Sequence, residues 1–126
     1  MDRAQGTQWP IVLTELFSTE RFKSKQWEPF RKGVEICWLY SNPEGPSSAL
    51  LRYEPGATLD RHTHPGHEHI LVLEGSQIDD AGEHVAGTMI VHGPGTSHAI
   101  ASPKGCVVLA IWEKPVHLGK PCTPSY

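Results

Sequence analysis

The stretch GATLDRHTHPGHEHILVLEG, residues 56–75, decides how the rest of the chain reads. His62 and His64 are two apart, and side chains at that spacing on a strand project from the same face. Pro65 and Gly66 break that strand and turn the chain, so Glu68 opens the next strand with its carboxylate directed back to the same pocket. Two imidazoles and a carboxylate from two strands are three ligands for a divalent transition metal. The fourth candidate is His98, in HGPGTSH (92–98), where Gly93, Pro94 and Gly95 turn the chain onto a new strand. His67 and His69 are out of phase with Glu68, and His84, His92 and His117 read as surface or hydrogen-bonded histidines.

Outward from this stretch the pattern is of short strands. With Glu68 facing the pocket, Ile70 and Val72 line the same interior, and Ile100 joins them in phase with His98. These three are the candidate substrate-binding residues, an apolar wall for a small molecule. The opposite face, His69, Leu71 and Leu73, is also mainly apolar and needs a cover, either the N-terminal segment or a second subunit. A homodimer is expected on that ground. Upstream, residues 34–40 alternate with period two, 41–46 form a loop, and 49–53 are the next strand. Residues 11–17 read as a strand or a single helical turn. Downstream, residues 79–82 form a hairpin turn, with strands expected near 83–85, 88–91, 97–101 and 106–112. Many short strands at even spacing argue for an all-β jelly-roll barrel.

At 126 residues the chain has room for one core. Its net charge of −3 gives no electrostatic case for nucleic acid or an anionic membrane, and no apolar run approaches the ~20 residues of a membrane span. The N-terminus lacks the pattern of a secretory signal. Cys37, Cys106 and Cys122 are odd in number and scattered, which disfavours a disulfide framework. A soluble, cytoplasmic domain with reduced thiols is expected, Cys106 being a buried small hydrophobe rather than a reactive thiol.

Gly56, His62, His64, Glu68 and Gly75, followed by Gly87, Gly95 and His98, resemble the two motifs of the cupin superfamily. The second motif departs in two places: Gly93 stands at its proline position, with Pro94 one residue late, and Ser102 replaces its usual closing asparagine. Neither departure removes a ligand. Within the superfamily the chain is similar to the cupin domain of ChrR-type proteins, through residues 62–68, 72–76, Asp79, Gly82, Gly93 to Gly95 with His98, and 105–107. The resemblance implies a single-domain double-stranded β-helix over residues 33–115. Residues 1–32 would then pack on the barrel or swap to a partner, with an irregular tail at 116–126.

The resemblance also bears on function. ChrR-type proteins are zinc-bound anti-sigma factors, which favours zinc here; iron is the other leading metal, with manganese and nickel also compatible with the ligand set. Their sigma factor is bound through a separate His-x-x-x-Cys-x-x-Cys zinc motif, and residues 1–32 contain no cysteine, so a sigma-factor partner is not expected. A stand-alone small-molecule sensor or binding module is the first expectation. The alternative is a metal-dependent dioxygenase of a diketone or hydroxyketone, since the chain is also similar to cupins resembling acetylacetone dioxygenase, which lack the carboxylate ligand.

Overall fold

Residues 9–22 and 25–115 are described by a computed structural model; residues 1–8 and the tail at 116–126, with His117 and Cys122, lie outside the described residues. A 3-10 turn (Thr19–Phe22) precedes nine strands. These are β1 (Glu28–Arg31), β2 (Val34–Tyr40), β3 (Ser47–Tyr53), β4 (Ala57–Thr63), β5 (Glu68–Asp79), β6 (Gly82–Val85), β7 (Met89–His92), β8 (Ser97–Ser102) and β9 (Cys106–Trp112). All pairings are antiparallel. One sheet runs β1-β2-β3-β9-β5-β7 and the other β4-β8-β5-β6, with β5 common to both. The result is the single-domain, nearly all-β jelly roll expected from the strand spacing. No described helix is long and apolar enough to cross a membrane.

Two details differ from the sequence pattern. Residues 11–17 form neither a strand nor a helix, and β1 is an extra strand pairing Glu28 with Ile36. Proline at the second of its four positions is tolerated because β1 has a single neighbour, β2, among the described residues.

The two faces of β5 bury different things. Ile70 and Val72 enter the inner core with Val34, Ile36, Leu51, Tyr53, Leu59, Ile100, Val108 and Trp112. Leu73 points the other way, yet only 1% of it is exposed. It packs with Leu50, Val107 and Phe22, beside Leu16, Trp27 and Leu71, so the N-terminal segment covers this part of the outer face. Trp27 is fixed from both sides, donating to the Phe22 carbonyl at 3.0 Å and lying under the Arg52 guanidinium at 4.4 Å. The cover stops short of β7 and the end of β9, where Met89, Val91 and Ile111 are exposed.

β5 can serve both sheets because its pairing with β9 shifts register between Val72 and Glu74. Gly75 follows the shift at φ 72°, and a Cβ there would lie 2.1 Å from the Gly105 carbonyl oxygen. Gly56 also has a positive φ, 92°, but nothing stands within 4 Å of where its Cβ would be. Gly75→Ala therefore combines backbone strain with a backbone clash and is expected to cost about 2–4 kcal/mol, whereas Gly56→Ala is expected to cost about 1 kcal/mol. Urea denaturation of the two variants measures the difference; equal losses would contradict the close approach of Gly75 to Gly105.

Candidate metal centre

β4 and β8 bring the first histidines together. Leu59 faces Ile100 across this ladder and His62 faces His98, with an irregularity between Leu59 and His62. Strict alternation from Leu59 would turn Arg61 inward. The irregularity instead leaves Arg61 outside, paired with Asp80 at 2.8 Å, and buries His62. His64 lies just past the end of β4. Its backbone is held on both sides, its N–H donating to the Thr96 carbonyl at 2.8 Å and its own carbonyl accepting from Gly95 at 2.7 Å. Glu68 opens β5, opposite Trp112 on β9 and His92 on β7.

The outer nitrogens of three rings are tied, and this orients their inner nitrogens. His62 Nδ1 donates to the Asp60 carbonyl at 2.9 Å. His98 Nδ1 donates to Asp79 Oδ2 at 3.2 Å. Thr96 spends its hydroxyl proton on the Gly93 carbonyl at 2.7 Å, so it accepts from His64 Nδ1 at 3.1 Å. A neutral imidazole has one N–H, so each of these rings presents an Nε2 lone pair to the interior. His62 Nε2 and His98 Nε2 stand 3.0 Å apart. Two lone pairs at that distance repel, and a cation between them removes the conflict. Glu68 is prepared similarly: Oε2 accepts from the Trp112 indole at 2.8 Å, leaving Oε1 toward the histidines.

Around Oε1 lie His64 Nε2 at 3.0 Å, His92 Nδ1 at 3.3 Å and His98 Nε2 at 3.8 Å. One donor atom from each of His64, Glu68, His92 and His98 lies within 4.8 Å of every other. Donors bonded at about 2.1 Å to one ion are at most about 4.2 Å apart, so a small contraction closes the group on a metal. Glu68 Oε1, His64 Nε2 and His92 Nδ1 are buried without a hydrogen-bond partner among the described residues. Three convergent orphan atoms, all metal-ligating types, fit a bound cation.

A sequence model of the ChrR cupin-like domain matches residues 18–117. The chain belongs to the ChrR cupin-like domain family. No curated protein matches it. Among solved structures, it resembles the Rhodobacter sphaeroides SigE complex with the anti-sigma ChrR, at 24% identity and a TM-score of 0.65, covering 73% of this chain and 50% of that one. A cupin-like protein of unknown function from Ralstonia eutropha is similar at 22% identity and a TM-score of 0.61, covering 64% and 55%. An acetylacetone dioxygenase from Acinetobacter johnsonii is similar at 15% identity and a TM-score of 0.70, covering 92% and 83%. The chain thus spans about half the length of the first two. At these identities the likeness is one of fold.

Of the four ligands expected in this cupin, His64, Glu68 and His98 fall in the four-residue group, and His62 stands beside it against His98. His92 is the surprise. Set aside in the sequence, it stacks on His64 at 4.7 Å and reaches Glu68. Its signal was the phase of Ile90 and His92, but Met89 and Val91 are equally apolar and hide it. Asp79, which reads as a turn residue, is also buried, accepting from His98 and from His84 at 2.8 Å. Ile70, Val72 and Ile100 lie in the adjoining core. A cleft of about 660 Å³ between the β1–β2 and β3–β4 turns and residues 104–107 contains none of these residues.

Burial sets the charges. It lowers His62, and it carries His98 down to about 4, helped by the neighbouring His62. For Glu68 burial acts upward, but the His64 and His92 rings and the Trp112 indole outweigh it and hold the carboxyl well below its usual range. His92 is raised, chiefly by Glu68. Burial pushes the Cys106 thiol up to about 11, in keeping with an inert buried cysteine.

The sign of the pH effect follows. Between the ordinary histidine value of 6.5 and about 4, the unfolded chain protonates where folded His98 does not, so metal-free stability falls with pH across that window. The contribution of His92 runs the other way, but it is already complete below 6.5. The urea midpoint of metal-free protein is expected to be lower at pH 5 than at pH 6, both within that window; an equal or higher midpoint at pH 5 would contradict neutral, buried His98.

Proposed function

We propose that this cupin holds one divalent transition metal, zinc or iron ahead of manganese or nickel, and uses it to bind a small molecule as a cytoplasmic sensor or binding module. The observation that carries this reading is the convergence of the His64 and His98 Nε2 lone pairs on Glu68 Oε1, with the His62 Nε2 lone pair set against that of His98 and each ring's Nδ1 tied elsewhere. His62, His64, Glu68 and His98 are the proposed ligands. A metal held there supplies a Lewis acid for oxygen donors of the small molecule. Ile70, Val72 and Ile100 form the apolar wall beside it. Arg52 lies over Trp27 and pairs with Glu35, and Arg61 pairs with Asp80, so both cations are engaged away from the site. An uncharged or weakly charged, chelating ligand suits that wall better than a phosphate.

The donor types favour one second reading. His64, His98 and Glu68 alone make a two-histidine, one-carboxylate set of the kind used by non-haem iron oxygenases. On that reading the protein is a dioxygenase of a small diketone or hydroxyketone. The exposed strip of Met89, Val91 and Ile111 supports a homodimer, which light scattering at micromolar concentration is expected to show; a monomer would remove that part.

Untagged protein is expected to carry one metal per chain by mass spectrometry. His64→Ala and His98→Ala are expected to weaken metal binding by more than about 100-fold, and Asp79→Asn, which loosens His98 without removing a ligand, by about 10–100-fold. Stoichiometric metal in His64→Ala would contradict the site. Iron-loaded protein that consumes no oxygen with a panel of β-diketones and hydroxyketones would eliminate the dioxygenase reading and leave the binding module.

A further inference from the structure

The site has more donors than a closed four-coordinate ion can use. His64, Glu68 and His98 are common to the two possible four-residue sets, completed by His62 in one and by His92 in the other. These flanking histidines are held very differently. His62 is 4% exposed, with Nδ1 tied to the Asp60 carbonyl. The His92 side chain is 15% exposed, against 5% or less for Glu68, His64 and His98, so it forms the solvent-facing side of the group. Its Nδ1 has no hydrogen-bond partner among the described residues, although Glu68 Oε1 is only 3.3 Å away. Its Nε2 has the Asp79 carboxylate at 3.9 Å, beyond hydrogen-bond reach.

We infer that His92 is a displaceable fifth ligand: its Nδ1 caps the metal in the resting protein and gives up that position to the incoming small molecule. This rests on the metal reading above and adds to it the route by which a coordination position opens. The fold suits the role. His92 is the last residue of β7, a strand whose only ladder among the described residues is with β5, and it is followed directly by Gly93. Its ring sits directly across that ladder from Glu68 and stacks on His64 at an interplanar angle of 26°, so a modest swing of one side chain moves it away without disturbing the other ligands. Asp79 Oδ2 lies on the side of Nε2 and receives the ring once Nδ1 lets go. The anchored rings lack this freedom, because moving any of them breaks its Nδ1 hydrogen bond.

A ligand that must first displace His92 binds with an affinity reduced by the fraction of protein already open. The test uses cobalt(II)-substituted full-length protein and azide, followed by visible absorption. Wild type and His92→Ala are each expected to hold one cobalt, and the variant is expected to bind azide at least about tenfold more tightly. In wild-type zinc protein, ¹⁵N spectra are expected to show His92 Nδ1 at a metal-coordinated shift that reverts when azide saturates the site. This second measurement decides the matter even where His92→Ala does not fold. Unchanged azide affinity in cobalt-loaded His92→Ala, or a His92 Nδ1 that shows no coordination shift in the zinc protein, would overturn the inference while leaving the metal site standing. Wild-type protein that takes up no cobalt would overturn both.

Discussion

One strand has to belong to two sheets, and the rest of the structure depends on how it manages that. The first part of β5 pairs with β9 and β7, and its last part with β6 and β8. The change of partner happens at a register shift beside Gly75, where the β5 backbone passes so near the Gly105 carbonyl that no side chain fits. Because of that crossing, a single strand supplies Glu68 at one end and Asp79 at the other. The carboxylate aimed into the histidine group and the carboxylate that orients His98 are therefore set by the same piece of backbone.

The site itself is governed by hydrogen bonds on its periphery. A backbone carbonyl, a threonine hydroxyl and a buried aspartate each take the Nδ1 proton of one histidine, and a tryptophan takes the second oxygen of Glu68. What remains pointing inward is almost wholly acceptor. Without a cation such a cluster is electrostatically unfavourable, and burial, which lowers the proton affinities of His62 and His98, keeps protons from filling it.

Most strand positions, the two faces of β5 and the gathering of His62, His64, Glu68 and His98 were legible because each depends on local spacing: two residues along a strand, a Pro-Gly turn, a Gly-Pro-Gly turn. His92 and Asp79 were not, because their roles depend on which strands become neighbours. Both faces of β7 are apolar, so the inward phase of His92 appears only when Glu68 is seen across the ladder from it. Asp79 sits where a hairpin turn needs an aspartate anyway, and its side chain does accept from the Ala81 N–H at 2.9 Å. That local explanation conceals the longer reach to His98. β1 escaped notice for another reason: its four residues, Glu28, Pro29, Phe30 and Arg31, carry no alternation to read.

The loop of residues 93–96 has a mechanical consequence. It begins immediately after His92 and ends one residue before the β8 strand that carries His98 at its second position. It also grips His64 by two backbone hydrogen bonds and one side-chain hydrogen bond. Three histidines of the centre are thus rigged to one four-residue span on the rim of the barrel. A displacement of that rim, whatever presses on it, changes the spacing of the three rings, and a change in their spacing is transmitted outward along the same span. The rim and the histidine group therefore cannot move independently of each other.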